Sequence, residues 1–145
     1  MLSRQASHAL KALLQLAGEP LRWQSTHELA TAQQLPEPML EQLLLRLRRA
    51  GLLEARRGRL GGYRLALAAG QITMAAVLTG LGENLGSGPQ ESPLASAADR
   101  VTAALAGRLE RARRRALEQL SLEELLFDLR SAEASHDDGA GLLLG

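Results

Sequence analysis

The chain has no cysteine, and only one tryptophan, one tyrosine and one phenylalanine among its 145 residues. Without cysteine there is no disulfide, no thiolate nucleophile, no cysteine-ligated zinc and no cysteine-held iron–sulfur cluster. Aromatic content of 2% cannot supply the exposed stacking platforms that single-stranded nucleic acid binding uses. Trp23 and Phe127 are therefore read as core or interface fillers. The three histidines, His8, His27 and His136, are too scattered for a metal site. No pair of acids, and no nucleophile with a nearby histidine, can be assembled, so an enzyme is not expected. Long apolar runs are missing as well. Arg4, His8, Lys11 and Glu19 interrupt the first twenty residues, and no later segment reaches the roughly 18–20 apolar residues of a membrane span. Neither a signal peptide nor a membrane partner is expected, and the protein is read as cytoplasmic.

What the chain does have is 46% hydrophobic residues, enough at this length for one real core plus an appended element. The net charge of +1 hides an asymmetry: residues 1–70 hold 10 basic and 5 acidic groups, residues 71–145 hold 7 and 11. Seven arginines and one acid, Glu54, fall between Arg46 and Arg64. Such a concentration is the footprint of a surface that faces phosphate.

Periodicity predicts the order of elements. A first helix runs from about Ser3 to Ala17, with Ala6, Ala9, Leu10, Leu13, Leu14 and Ala17 as its stripe. A short second helix starts near Thr26, capped by Ser25 or Thr26. A third begins at Pro36, buries Leu40, Leu43, Leu44 and Leu47, and stops at Gly51. Leu52 to Arg56 and Tyr63 to Leu67 flank a glycine-rich turn and predict a β-hairpin. Helix, short helix, helix and hairpin in that order describe a winged helix-turn-helix, a mainly α fold with a small β wing. Thr73 then caps a helix of about ten residues. The stretch 83–95 reads as a flexible loop closing the 1–82 domain. From Ser96 to about Leu120 a long helix carries Val101, Leu105, Leu109, Ala112, Ala116 and Leu120 on one face. At ~1.5 Å per residue it exceeds ~35 Å, more than a small domain covers alone, so pairing with a second copy is expected. Ser121 and Glu124 form a capping box opening a last short helix, Leu122 to Leu129. Residues 131–145 hold three acids and no base, and read as a loose tail.

The run Leu35-Pro-Glu-Pro-Met-Leu-Glu-Gln-Leu-Leu, then Arg46-Leu-Arg-Arg-Ala-Gly-Leu-Leu, then Arg57-Gly-Arg-Leu-Gly-Gly-Tyr-Arg-Leu, with Ser7-His-Ala-Leu-Lys-Ala-Leu upstream, resembles the transcriptional regulators of the Rrf-two type. That family includes the iron–sulfur cluster regulator and the cysteine-metabolism repressor. The resemblance is close over residues 1 to about 82 and looser beyond. It implies a homodimeric repressor or activator, with repression the expected sense, that reads a palindromic operator in double-stranded DNA. The third helix would enter the major groove while the wing follows the backbone into the minor groove. On that helix Glu37, Pro38, Met39, Glu41 and Gln42 are the candidate contacts, with Thr26 from the second helix. Met39, Glu41 and Gln42 are read as lying on its solvent side. Gln42 can pair with adenine and Glu41 can accept from the cytosine amino group. Arg46 and Arg49 are candidate phosphate contacts. Arg56, Arg57, Arg59, Gly61, Gly62 and Tyr63 are the candidates on the wing, and its glycines would allow close approach to phosphate. Read as a nucleotide loop those glycines fail, because no Lys-Ser or Lys-Thr follows them.

The chain also departs from the family. Many members hold an iron–sulfur cluster through three cysteines in the loop before the long helix. The matching loop here, about 84–95, has none, so no cofactor is expected. Members without those cysteines are thought to answer to a small molecule or a partner protein, and such an effector is expected here. Pro36 and Pro38 stand where other members carry serines near the DNA. Gln34 occupies a turn position where glycine is common, a minor strain if its φ is positive. The alternative reading is a winged-helix interaction module that has lost specific DNA readout.

Overall fold

The structure is a computed structural model that describes residues 2–85 and 92–144, with side chains to residue 136. The elements follow in the order α1 (Arg4–Gly18), α2 (Thr26–Gln33), α3 (Glu37–Arg49), β1 (Leu53–Arg56), β2 (Gly62–Leu65), a 3-10 turn (Ala69–Gln71), α4 (Met74–Gly80), α5 (Ala97–Gln119) and α6 (Leu122–Leu144). The expected mainly α winged-helix architecture is what the chain adopts. Six residues of the expected loop at 83–95, residues 86–91, lie outside the described residues.

Local chemistry sets the helix starts. Ser3, Ser25, Thr73 and Ser96 each accept a backbone N–H three residues on, satisfying donors that a helix leaves orphaned. At Ser25 and Ser96 the box is closed by Glu28 and Asp99. Pro36 differs from expectation: it is the cap of α3 and not its first helical residue. Its ψ of 122° is extended while its carbonyl accepts the first intrahelical bond, from Leu40 N–H at 3.0 Å. Gln34 ends α2 in the left-handed region at φ 55°, the strained turn anticipated for that position.

One core joins α1, α2, α3, α4, the hairpin and the start of α6. Leu13, Leu16, Leu29, Leu40, Leu44, Leu47, Ile72, Val77, Leu78, Leu81 and Leu122 are essentially inaccessible to solvent. At ~1.5–3 kcal/mol for each buried aliphatic side chain, α3 is held mainly by its four leucines. The hairpin pairs Leu53 with Leu65 and Arg56 with Gly62, a residue or two shorter at its outer ends than the sequence pattern predicts. Backbone bonds Met74 N–H to Leu120 O (2.9 Å) and Leu122 N–H to Ile72 O (2.8 Å) tie the α5–α6 junction to the start of α4.

Two other expectations are corrected here. The last helix does not stop at Leu129: α6 continues to Leu144, through the described part of the stretch expected to be a loose tail. The residues that follow Leu129 (Arg-Ser-Ala-Glu-Ala-Ser) contain no proline or glycine, and nothing in them ends the helix. Of the two readings given to Phe127, core or interface filler, the core is excluded: it is 71% exposed on α6.

Candidate nucleic-acid interface

The hairpin sits where it does because of a short run between α1 and α2. Gln24 pairs with Tyr63 through two backbone bonds, Gln24 N–H to Tyr63 O at 3.0 Å and Tyr63 N–H to Gln24 O at 2.8 Å. The Gln24 side chain is itself buried and accepts from Gln15 Nε2 at 3.0 Å, so this bridge is anchored to α1. Glycine is required at the crossing. A Cβ on Gly62 would stand 2.3 Å from Gln24 O, and its φ is 141°. Gly61 is buried, and a Cβ there would stand 2.0 Å from Arg56 O. Both glycines therefore serve close packing inside the protein.

Trp23 has a role that sequence reasoning missed. It is half-buried, with the guanidinium of Arg64 4.2 Å and that of Arg56 4.8 Å from its ring centroid. At ~0.5–1 kcal/mol per exposed cation–π contact the pair orients the hairpin more than it stabilises the fold. Arg56 also donates from Nη2 to Leu60 O at 2.7 Å, and Arg64 Nε pairs with Glu54. Those two wing arginines are occupied within the protein. Arg57 and Arg59 are exposed and have no partner among the described residues.

On α3 the candidate base-reading residues divide. Gln42 is exposed and has no partner among the described residues. Glu41 is half-buried and both carboxylate oxygens already hold donors. Tyr63 Oη donates to Oε1 at 3.0 Å, and Thr26 Oγ1 donates to Oε2. Glu41 is thus not the free solvent-side acceptor the sequence suggests, and Met39 is half-buried against the core. Glu37 is exposed and lies 3.0 Å from His27 Nδ1, while Pro38 is exposed beside it. Arg46 turns away toward α1 and α4, donating to Gln5 Oε1 and Leu81 O, each at 3.3 Å. Arg49 is exposed without a partner among the described residues.

Tyr63 is 7% exposed, and its phenol is pushed up to about 12. Burial is the main cause, followed by the hydrogen bond to Glu41 and the Glu41 charge, with Arg48 opposing them. At neutral pH the phenol is therefore the donor and Glu41 the acceptor.

The candidate dimer stripe also lies in the open. Val101 is 69%, Leu105 54% and Leu109 62% exposed, and Ala112, Ala116 and Leu120 are exposed too. Among the described residues no helix is long and apolar enough to cross a membrane, and no group of three His, Cys, Asp or Glu could hold a metal ion.

Comparison with known proteins gives one consistent answer. The family model Rrf2, described as iron-dependent transcriptional regulator, matches residues 2–128. A relative from Synechocystis sp., named as an HTH-type transcriptional regulator, is 37% identical, and the match covers 99% of each chain. The solved structure of CymR, the global cysteine regulator of B. subtilis, superposes with a TM-score of 0.74 at 28% identity, covering 87% of this chain and 95% of that one. T. potens IscR superposes with a TM-score of 0.73 at 27% identity, covering 91% and 90%. The iron in the family's description finds no thiolate ligands here, because the chain has no cysteine to hold it.

Proposed function

The chain belongs to the Rrf2 family of transcriptional regulators, and from that premise we propose that it is a homodimeric repressor binding a palindromic operator without an iron–sulfur cluster. One observation carries the reading. The Tyr63–Glu41 bond holds the hairpin against α3, so Gln42 and Arg49 on the helix form one unit with Arg57 and Arg59 on the wing, all four without a partner among the described residues. Four polar groups kept free of internal partners, three of them cationic, suit a phosphate-lined groove. In this proposal α3 lies in the major groove and Gln42 reads a base edge. Arg49 meets phosphate, and the hairpin tip runs into the neighbouring minor groove, where Arg57 and Arg59 meet a concentrated negative potential. Thr26, Glu37 and Pro38 border the same helix. Glu41, Tyr63, Arg46 and Arg56 act from behind, holding the reading surface in shape.

Dimerisation is supported by the exposed stripe of α5, which nothing within the chain covers among the described residues. A twofold dimer would present two symmetry-related copies of α3, which is why the operator is proposed to be palindromic. Bound over a promoter, such a dimer would exclude polymerase. Its signal would come from a small molecule or a partner protein.

A second reading, an interaction module without DNA specificity, is favoured by Glu41 alone, whose carboxylate is already satisfied internally. Salt dependence of duplex binding separates the two. Arg57→Ala and Arg59→Ala should each weaken binding to every duplex and flatten the slope of log K against log salt by about one. Slopes unchanged in both variants would remove the wing from the phosphates and favour the second reading.

A further inference from the structure

At the tip of the hairpin Leu60 is 82% exposed, between exposed Arg59 and buried Gly61. A leucine at a loop tip is ordinarily mobile and unremarked, but this one is held. Its own carbonyl accepts from Arg56 Nη2 at 2.7 Å, and that guanidinium lies over Trp23 at 4.8 Å. The turn around it is closed by Gly61 N–H donating to Gly58 O at 3.1 Å. Gly58, at φ 106°, turns the chain, and Gly61 sits so close to the Arg56 carbonyl that no side chain fits there. The backbone of residues 56–61 is thus braced from three sides while the isobutyl group of Leu60 remains in solvent.

We infer that Leu60 is an apolar reader of the minor groove, packing on the deoxyribose walls of the duplex while Arg57 and Arg59 meet its phosphates. The proposal rests on the DNA-binding reading above and goes beyond it by assigning a contact that carries no charge. Sugar edges are the apolar part of the groove. A branched side chain carried on a braced hairpin backbone can bury against them without the backbone ordering cost that a flexible tip incurs. Groove width varies with sequence, so a contact made to both walls discriminates among sequences that the side chain never reads by hydrogen bonding. Apolar side chains are used in this groove in general, including as wedges that open a base step.

The distinguishing property is indifference to salt. Arginine contacts to phosphate release counterions and steepen the salt dependence, whereas burying a leucine does not. The test uses a duplex recovered by the wild-type protein from a random-sequence pool, titrated over a range of salt concentrations with wild type, Leu60→Ser, Leu60→Met and Arg57→Ala. Leu60→Ser is expected to bind about tenfold more weakly at every salt concentration with the slope unchanged. Leu60→Met should restore most of the affinity, and Arg57→Ala should flatten the slope. Thermal melting of all variants should match wild type, since Leu60 is exposed. Leu60→Ser binding within twofold of wild type would overturn the inference and leave the DNA-binding reading standing. A loss accompanied by a flattened slope would overturn it too, by showing that the substitution displaced the arginines. Recovery of no duplex by the wild type would sink both.

Discussion

The Tyr63 hydroxyl donates a 3.0 Å hydrogen bond to Oε1 of Glu41, joining the hairpin to the middle of α3. Because Tyr63 also bridges to Gln24 through its backbone, one residue fixes the wing against both the helix it accompanies and the segment preceding α2.

That relationship has a pH signature. Tyr63 is the one tyrosine in the chain, so phenolate absorbance reports it alone. Its ionisation should be centred near 12, well above the ordinary value of 10.0. A pKa raised on folding means that the contribution to stability is fully present below about pH 10 and is lost as pH rises from 10 toward 12. Tyr63→Phe should cost about 1–2 kcal/mol in denaturant unfolding and remove that alkaline loss. Ionisation at pH 10 in the folded protein would contradict both the burial of the phenol and its bond to Glu41.

Gly62→Ala should destabilise the protein severely, by about 2 kcal/mol or more, because the new Cβ meets backbone and not a flexible side chain. Gly58→Ala strains a positive φ but meets nothing within 4 Å, so its cost should be about half as large or less. Equal effects in thermal melting would show that the Gln24–Tyr63 bridge does not set the wing.

Val101→Glu and Leu105→Glu change exposed residues of α5 and should leave the fold of one chain intact. Light scattering should report monomers for both, and binding to a two-half-site duplex should weaken by more than a hundredfold, since one half-site supplies only part of the affinity. A dimer that survives both substitutions places the interface elsewhere.

Much of this fold is readable along the sequence because its signals are local. Leu40, Leu43, Leu44 and Leu47 recur at helical spacing, and all four are buried in α3. Ser25 with Glu28, and Ser96 with Asp99, announce helix starts within four residues of chain. The site is less legible because its arrangement depends on distant residues. Nothing near Glu41 announces that Thr26 and Tyr63 will occupy its carboxylate, and nothing near Trp23 announces the guanidiniums of Arg56 and Arg64. Glycines at 61 and 62 advertise a tight turn, but only the fold shows that the neighbour they accommodate is the protein's own backbone. The length of α6 escaped for another reason: small and acidic residues after Leu129 carry no apolar stripe, and a helix without one leaves no periodic signal.

The central claim is that this chain reads DNA sequence through α3 and the wing. It is tested most directly by selecting genomic DNA fragments with the purified protein at near-physiological salt, beside an Arg57→Ala/Arg59→Ala double variant. The account predicts that the wild type enriches one palindromic motif and that the double variant loses it. Random fragments, no fragments, or the same motif recovered equally by both proteins would contradict it.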